Sequence, residues 1–408
     1  MRNHTLIRPV PCVDRLDRAT DGMKCGMRHA RELFHAVAAV AFLSHGPVAS
    51  AQALRSVQSK PPCPDCSILV TKVVSLGNNT GGPGEIIGTL SRLDSDVRGS
   101  YYLSFNETGQ LISVFDSDGS FLTDLGREGD GPGEYRKARV AAVTKDSIFI
   151  TDLVSARLTV VELTKLGKPA RTVTVPEFTS MPVQTLRLPS GMLVAHMLLR
   201  TPEAIGYPIH LFDPSGRLLR STGIETPAYR PDRLALFGRR LATSRSGGFW
   251  VAHVTTPVFE EYDSEGEVRQ SLRVNLPSLP EWDPTAPPPH PKGSPPKAQI
   301  MAIHQASDGL LWVAVAVPDP EWRSAFSTTR RKPSSWAPDG FVYQVEDYSD
   351  LLDTELVVLD PEKQVILASL RIDLAVTSFD GRGYAAGTRT HSPTGVHQVE
   401  VIQLRLVR

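Results

Sequence analysis

An aromatic residue or leucine, then Asp, two further residues and usually Gly recurs along this chain, and each copy runs into an apolar strand. It reads Phe115-Asp116-Ser117-Asp118-Gly119, Phe212-Asp213-Pro214-Ser215-Gly216 and Tyr262-Asp263-Ser264-Glu265-Gly266, with a weaker Leu359-Asp360-Pro361-Glu362-Lys363. Asp and Gly at these offsets suit a tight hairpin turn, because Gly accepts positive φ and the Asp side chain accepts nearby backbone N–H groups. The copies start about 97, 50 and 97 residues apart, a period of about 49 with two copies degraded. The first missing copy is expected at Val160–Gly167, which keeps strand and turn but lacks the Asp. Such a period, with several strands per unit, indicates propeller blades and not a solenoid.

A second signal, a Gly or Ser turn entering a short apolar strand, fixes the number of blades. Its six copies are Gly99–Leu103, Asp146–Ile150, Gly191–Val194, Gly248–Val251, Gly309–Val313 and Gly383–Ala386. One strand is left over at each end, Cys66–Val74 and Gln398–Leu404. Pairing them closes the ring and removes an open sheet edge. No long segment carries the i, i+3, i+4 spacing of an amphipathic helix. The expected fold is an all-β, six-bladed β-propeller over residues 67–408, closed by its terminal strands.

Charge gives no overall field, since 44 Lys and Arg balance 44 Asp and Glu. No sustained basic stripe favours nucleic acid. Near the N-terminus Lys24, Arg28 and Arg31 precede the apolar run Leu33–Leu43, and Ala49-Ser50-Ala51 follows. This is the layout of a secretory signal peptide, too short in its apolar core to span a bilayer comfortably. Residues 1–51 are therefore read as an N-terminal extension and signal, with Met23 or Met27 as the true start. The mature chain is expected in the periplasm or outside the cell, as a monomer without a membrane span. Cys12 and Cys25 fall in the removed part. Cys63 and Cys66 stay, in a proline-rich lead-in over 52–66, and are expected to form a local disulfide.

At the second blade, Leu125-Gly126-Arg127-Glu128-Gly129-Asp130-Gly131-Pro132-Gly133-Glu134-Tyr135 is followed by Ser147-Ile148-Phe149-Ile150-Thr151-Asp152 and Ala156-Arg157-Leu158-Thr159-Val160. This passage resembles the NHL-repeat class of six-bladed propellers, with its glycine-rich inter-blade turn and an aspartate ending the second strand. Ala156 stands where that class usually has Asn. The architecture hosts binding modules, scaffolds and enzymes alike, so the resemblance implies fold more than function.

Blade order places the glycine-led strand second and the aromatic-Asp turn between the third and fourth strands. One face then carries only short turns. The other carries every long excursion, at 222–238, 277–296 and 318–353, the last with Trp322, Phe326, Trp336, Phe341, Tyr343 and Tyr348. Loops of such length are often functional. On that face Asp152, His196 and His253 end three consecutive second strands, with Phe105, Val315 and Gly387 in the other three blades. Two imidazoles and a carboxylate are a competent zinc set if the circle they share is narrow. Individually hydrogen-bonded histidines are the alternative.

Arg136, Arg139, Arg200, Arg230, Arg233, Arg239 and Arg240 crowd the same face. Their forks suit carboxylate, phosphate or sulfate, or else pair with Glu134, Glu225 and Asp232. Asp116, Asp118, Asp213, Asp263 and Glu265 suggest calcium but fit hairpin turns as well. No phosphate loop, nucleophile elbow or H-E-x-x-H motif occurs. The leading expectation is a binding or scaffold propeller without cofactor, engaging a protein, peptide or small anionic ligand on its long-loop face. The rival is a metal-dependent lyase or lactonase, with zinc or calcium.

Overall fold

The alternation of apolar and polar residues in these short strands produces six antiparallel sheets arranged in a ring. The computed structural model describes the strand Arg55–Val57 and residues 63–408, apart from 79–81, 87, 107–108, 110, 153, 167, 176–183, 200–203, 205, 224–237, 281–292, 331–340, 346–348 and 392–395. The proposed leader, Arg200, Arg230, Arg233, Trp336, Tyr348 and much of the long loops lie outside the described residues.

From channel to rim, blade one is Leu90–Ser95, Tyr101–Phe105, Ile112–Phe115 and Phe121–Leu125. Blade two is Ala138–Val143, Ser147–Asp152, Arg157–Glu162 and Pro169–Thr174. Blade three is Gln184–Arg187, Leu193–His196, Ile209–Phe212 and Leu218–Thr222. Blade four is Arg239–Thr243, Phe249–His253, Val258–Tyr262 and Val268–Val274. Blade five is Gln299–Gln305, Leu311–Pro318, Leu352–Asp360 and Val365–Ile372. Blade six takes Val376–Phe379, Tyr384–His391 and Val396–Val407 from the C-terminal end and Ser67–Leu76 from the N-terminal end. The two ends pair antiparallel from Ser67 opposite Val407 to Leu76 opposite Val399, the closure the sequence predicts.

The period needs one correction. The interval from Asp263 to Asp360 contains one blade and not two, lengthened by the excursions after Val274 and after Pro318. A degraded turn does sit at Leu163–Lys168 in blade two. The sixth turn is absent because the rim strand of blade six comes from the other end of the chain. A second difference lies in the lead-in, where Arg55–Val57 adds in parallel to Val268–Val274 as a fifth strand of blade four.

The repeated Asp owes its place to its turn. Asp116 accepts the N–H groups of Asp118 and Ser120, Asp213 those of Ser215 and Arg217, and Asp263 those of Glu265 and Glu267. These carboxylates are occupied by their own hairpins, and among the described residues no group of three His, Cys, Asp or Glu could hold a metal ion. Asp213 is held down at about 2, chiefly by the Ser215 hydroxyl and the Arg217 N–H. The turn glycines take the positive φ that L side chains avoid; at Gly126 a Cβ would also lie 2.5 Å from the Gly133 carbonyl oxygen.

Apolar side chains fill the seams between neighbouring blades, as with Val140, Ile148 and Ile150 against Ile112 and Val114. Every seam of the ring holds one such cluster. Polar stitches cross the same seams to the innermost strands, whose free edges would otherwise leave N–H groups unpaired. Ser104 accepts Val140 N–H, Thr151 meets Thr185, and Gln184 both accepts Leu241 N–H and donates to the Leu241 carbonyl. Ile300 N–H reaches the Val254 carbonyl, Thr354 accepts Val376 N–H, and Thr388 and Ser378 accept Leu90 and Leu93 N–H. Cys63 and Cys66 form the expected disulfide, packed on the seam between blades five and six.

Candidate functional site

The register makes Asp152, His196 and His253 equivalent, each opposite the first residue of its innermost strand: Ala138, Gln184 and Arg239. Among the described residues no group of three His, Cys, Asp or Glu could hold a metal ion; these three end second strands, one strand away from the axis, each in its own surroundings. The fully buried Asp152 carboxylate accepts the N–H groups of Arg136 and Lys137 at 3.1 Å, Val154 at 3.2 Å and Ser155 at 3.4 Å. Arg157 Nη2 adds a fifth contact at 3.4 Å. Burial alone would raise its pKa; the donated backbone bonds outweigh that and hold the carboxyl below its usual range. Asp152 thus clamps the glycine-rich turn 126–137 to the blade.

His253 Nε2 lies 3.3 Å from Glu260, which also accepts the Tyr262 hydroxyl. His196 is buried beside Arg239, Arg240 and His210, and burial, reinforced by the charges of the two arginines, holds its imidazole well below the usual range. His253 is thus hydrogen-bonded within its own blade.

The arginines divide. Arg136 is exposed and donates two bonds to Asp130, an ion pair at the surface. Arg239 is buried in the blade next to Glu260 and Tyr262, out of a ligand's reach. Arg139 and Arg240, each second in its innermost strand, line the central channel at the end toward the long loops.

That channel is a cavity of about 710 Å³ bounded by the innermost strands of the blades, within the range that holds small ligands. Arg139 donates to Asn106 at 3.0 Å. Arg240 is half-buried, its Nε has no hydrogen-bond partner, and the charge acting on it is that of another cation. Burial first, and then the Arg139 charge, pull the Arg240 guanidinium down to about 10. It stays charged at neutral pH, in a place where a second positive charge costs free energy.

Deeper in, Arg92 spans the channel. It grips Asp94 through Nε at 2.6 Å and Nη2 at 2.9 Å, and its Nη1 donates to the Thr185 carbonyl of blade three at 2.8 Å. Asp94 is raised by burial against the pull of Arg92, with the Asp380 charge adding to the rise. Asp380 in turn accepts the Ser95 hydroxyl at 2.6 Å. The lining carboxylates therefore lie toward the short-turn mouth and the Arg139–Arg240 pair toward the long-loop mouth. The sequence reading missed Arg92, Asp94 and Asp380 as channel residues. Their signal was present, since each sits on or just after an innermost strand, but that strand carries no glycine or aspartate marker to draw attention to it.

Residues 86–193, which span blade one, blade two and the start of blade three, match the model of the family DUF5128, described as a 6-bladed beta-propeller. The six-bladed propeller is what they share. Among solved structures, a member of the DUF4221 family from Bacteroides vulgatus ATCC 8482 aligns with a TM-score of 0.50 and 10% identity, covering 84% of this chain and 99% of that one. Virginiamycin B lyase from Staphylococcus aureus aligns with a TM-score of 0.42 and 9% identity, covering 84% and 100%. At these identities the likeness is one of fold. No curated protein matches the chain.

Proposed function

We propose that this chain is an exported binding propeller that takes a small anionic ligand at the long-loop mouth of its central channel. One observation carries the reading: Arg240, half-buried in a cavity of about 710 Å³, has Arg139 as its charged neighbour and an unpartnered Nε. A carboxylate, sulfate or phosphate between the two forks would relieve the repulsion and supply acceptors with matching geometry. Export is supported by the basic, apolar and small-residue order of residues 24–51 and by the Cys63–Cys66 disulfide.

Titration calorimetry with acetate, sulfate and inorganic phosphate tests the reading at low ionic strength. Wild type should bind at least one of them, and Arg240→Gln should weaken that binding by tenfold or more, in keeping with about 1.5–3 kcal/mol for a hydrogen bond to a charged group. Equal binding by wild type and Arg240→Gln, or no binding of any of the three, would remove the basis for an anion site.

A further inference from the structure

The long-loop mouth has two unlike sides. Blades two to four present Arg139, Gln184 and Arg240, whereas blades five and six present the apolar Met301, Ala316, Leu352 and Ala375 beside Gln299, Thr377 and Thr388. Those four apolar residues also belong to a small separate core with Trp322, Ala325, Leu351, Phe326 and Val345. Most of that core comes from the excursion between Pro318 and Leu352, whose strands Phe326–Arg330 and Phe341–Val345 pair as a hairpin. Trp322 stands edge-on to Phe326 at 6.3 Å, so the base of the excursion is a packed unit set behind the channel wall.

A loop of this length could have been added anywhere on the rim at little entropic cost. Its base instead backs the stretch of channel lining that carries these apolar side chains, starting at the blade next to that of Arg240. Met301 is half-buried, touching both the satellite core and the cavity.

We propose that the ligand is an amphipathic anion, with a carboxylate, sulfate or phosphate head between Arg139 and Arg240 and an apolar body against Met301, Ala316, Leu352 and Ala375. This rests on the anion-binding reading and narrows its ligand class. An apolar body turned toward this wall leaves water, while the head keeps its charge-assisted bonds to the arginines. A wholly polar anion would leave the wall wetted and gain from the arginines alone.

The test is a chain-length series, from acetate through butanoate and hexanoate to octanoate, with 1-octanol as the uncharged control, all titrated into the full chain. Affinity should rise by about fourfold per added methylene, the transfer gain of one buried CH₂, until the wall is covered. Arg240→Gln should lower every carboxylate by a similar factor and leave the chain-length slope intact. Met301→Gln should flatten the slope while acetate binds as in wild type, and Met301→Leu should keep it; equal melting temperatures of the two Met301 variants show that neither has lost the fold. If acetate and octanoate bind equally, the amphipathic assignment is overturned and the anion site stands. If octanol matches octanoate and Arg240→Gln changes neither, the anion reading itself is overturned. If no member of the series binds, both are.

Discussion

Replacing Asp152 with alanine should destabilise this propeller more than any other single change on the long-loop face. The side chain is fully buried and accepts four backbone N–H groups and one guanidinium. Each donor left dry would cost about 1–3 kcal/mol. Arg136 and Val154 lie at the surface, so water reaches part of the opened turn. The net cost is then about 3–5 kcal/mol, the range for removing one partner of a buried charged pair. With an unfolding entropy of about 2.1 cal/mol/K per residue, a domain of roughly 340 residues should lose about 4–7 °C in Tm. Circular dichroism melts read this directly, and melts of wild type with a chelator separate a clamp from a metal ligand.

The pH dependence adds a second constraint. Because the folded Asp152 pKa lies below its ordinary 3.8, its contribution is complete above that value and is lost as pH falls through the depressed folded one. The gap between wild type and Asp152→Asn should therefore be constant at neutral pH and narrow only in acid. A Tm drop under about 1 °C, a gap that closes already at pH 6, or a chelator that mimics the substitution would refute the clamp, given the energies above.

Other perturbations probe the rest of the ring. His210 bonds Ser221 and the Met197 carbonyl, and burial, partly opposed by the Met197 bond, pulls it to about 4. The unfolded chain takes up that proton near 6.5, so stability should fall on acidification from 6.5 toward 4 by about 3 kcal/mol from this group; urea titrations of His210→Gln should lack that share of the slope. Ser104→Ala leaves Val140 N–H unpaired in the seam and should cost about 1–2 kcal/mol by chemical denaturation. Removing residues up to Leu76 strips blade six of its rim strand and should replace the single cooperative melt by aggregation at lower temperature; an unchanged melt would contradict the closure.

The fold was legible because two of the four strands in most blades are bracketed by turns with strict chemistry. Gly191, Gly248 and Gly309 mark second strands, and Asp116, Asp213 and Asp263 mark the third-to-fourth turns. Even there, spacing alone misled between Asp263 and Asp360, since insertions lengthen a period without adding a blade. The site was legible only in part. Arg139 and Arg240 were picked out by local arginine density, but adjacent residues on one strand point to opposite faces. That alternation puts Arg240 in the channel and Arg239 in the blade interior, a distinction that depends on register. Asp152, His196 and His253 were aligned correctly, yet equivalence on a ring says nothing of its radius, so alignment alone does not bring three side chains to one point. Arg92 and Asp94 went unnoticed because their importance comes from a partner on another blade, Thr185, far away in the chain.

The terminal pairing of blade six also orders events in time. Ser67 finds its partner at Val407, so the rim strand Ser67–Leu76 must wait until all the intervening blades have emerged. Until then Leu69 and Val73, still exposed in the finished ring, belong to a solitary apolar ribbon, while blades one to five can assemble from local hairpins. Contacts of such separation form slowly, because the entropy of closing the intervening loop must be met before any bond repays it. Completion of the circle is thus expected as one late kinetic phase, in which a waiting ribbon is most open to capture by a neighbouring chain.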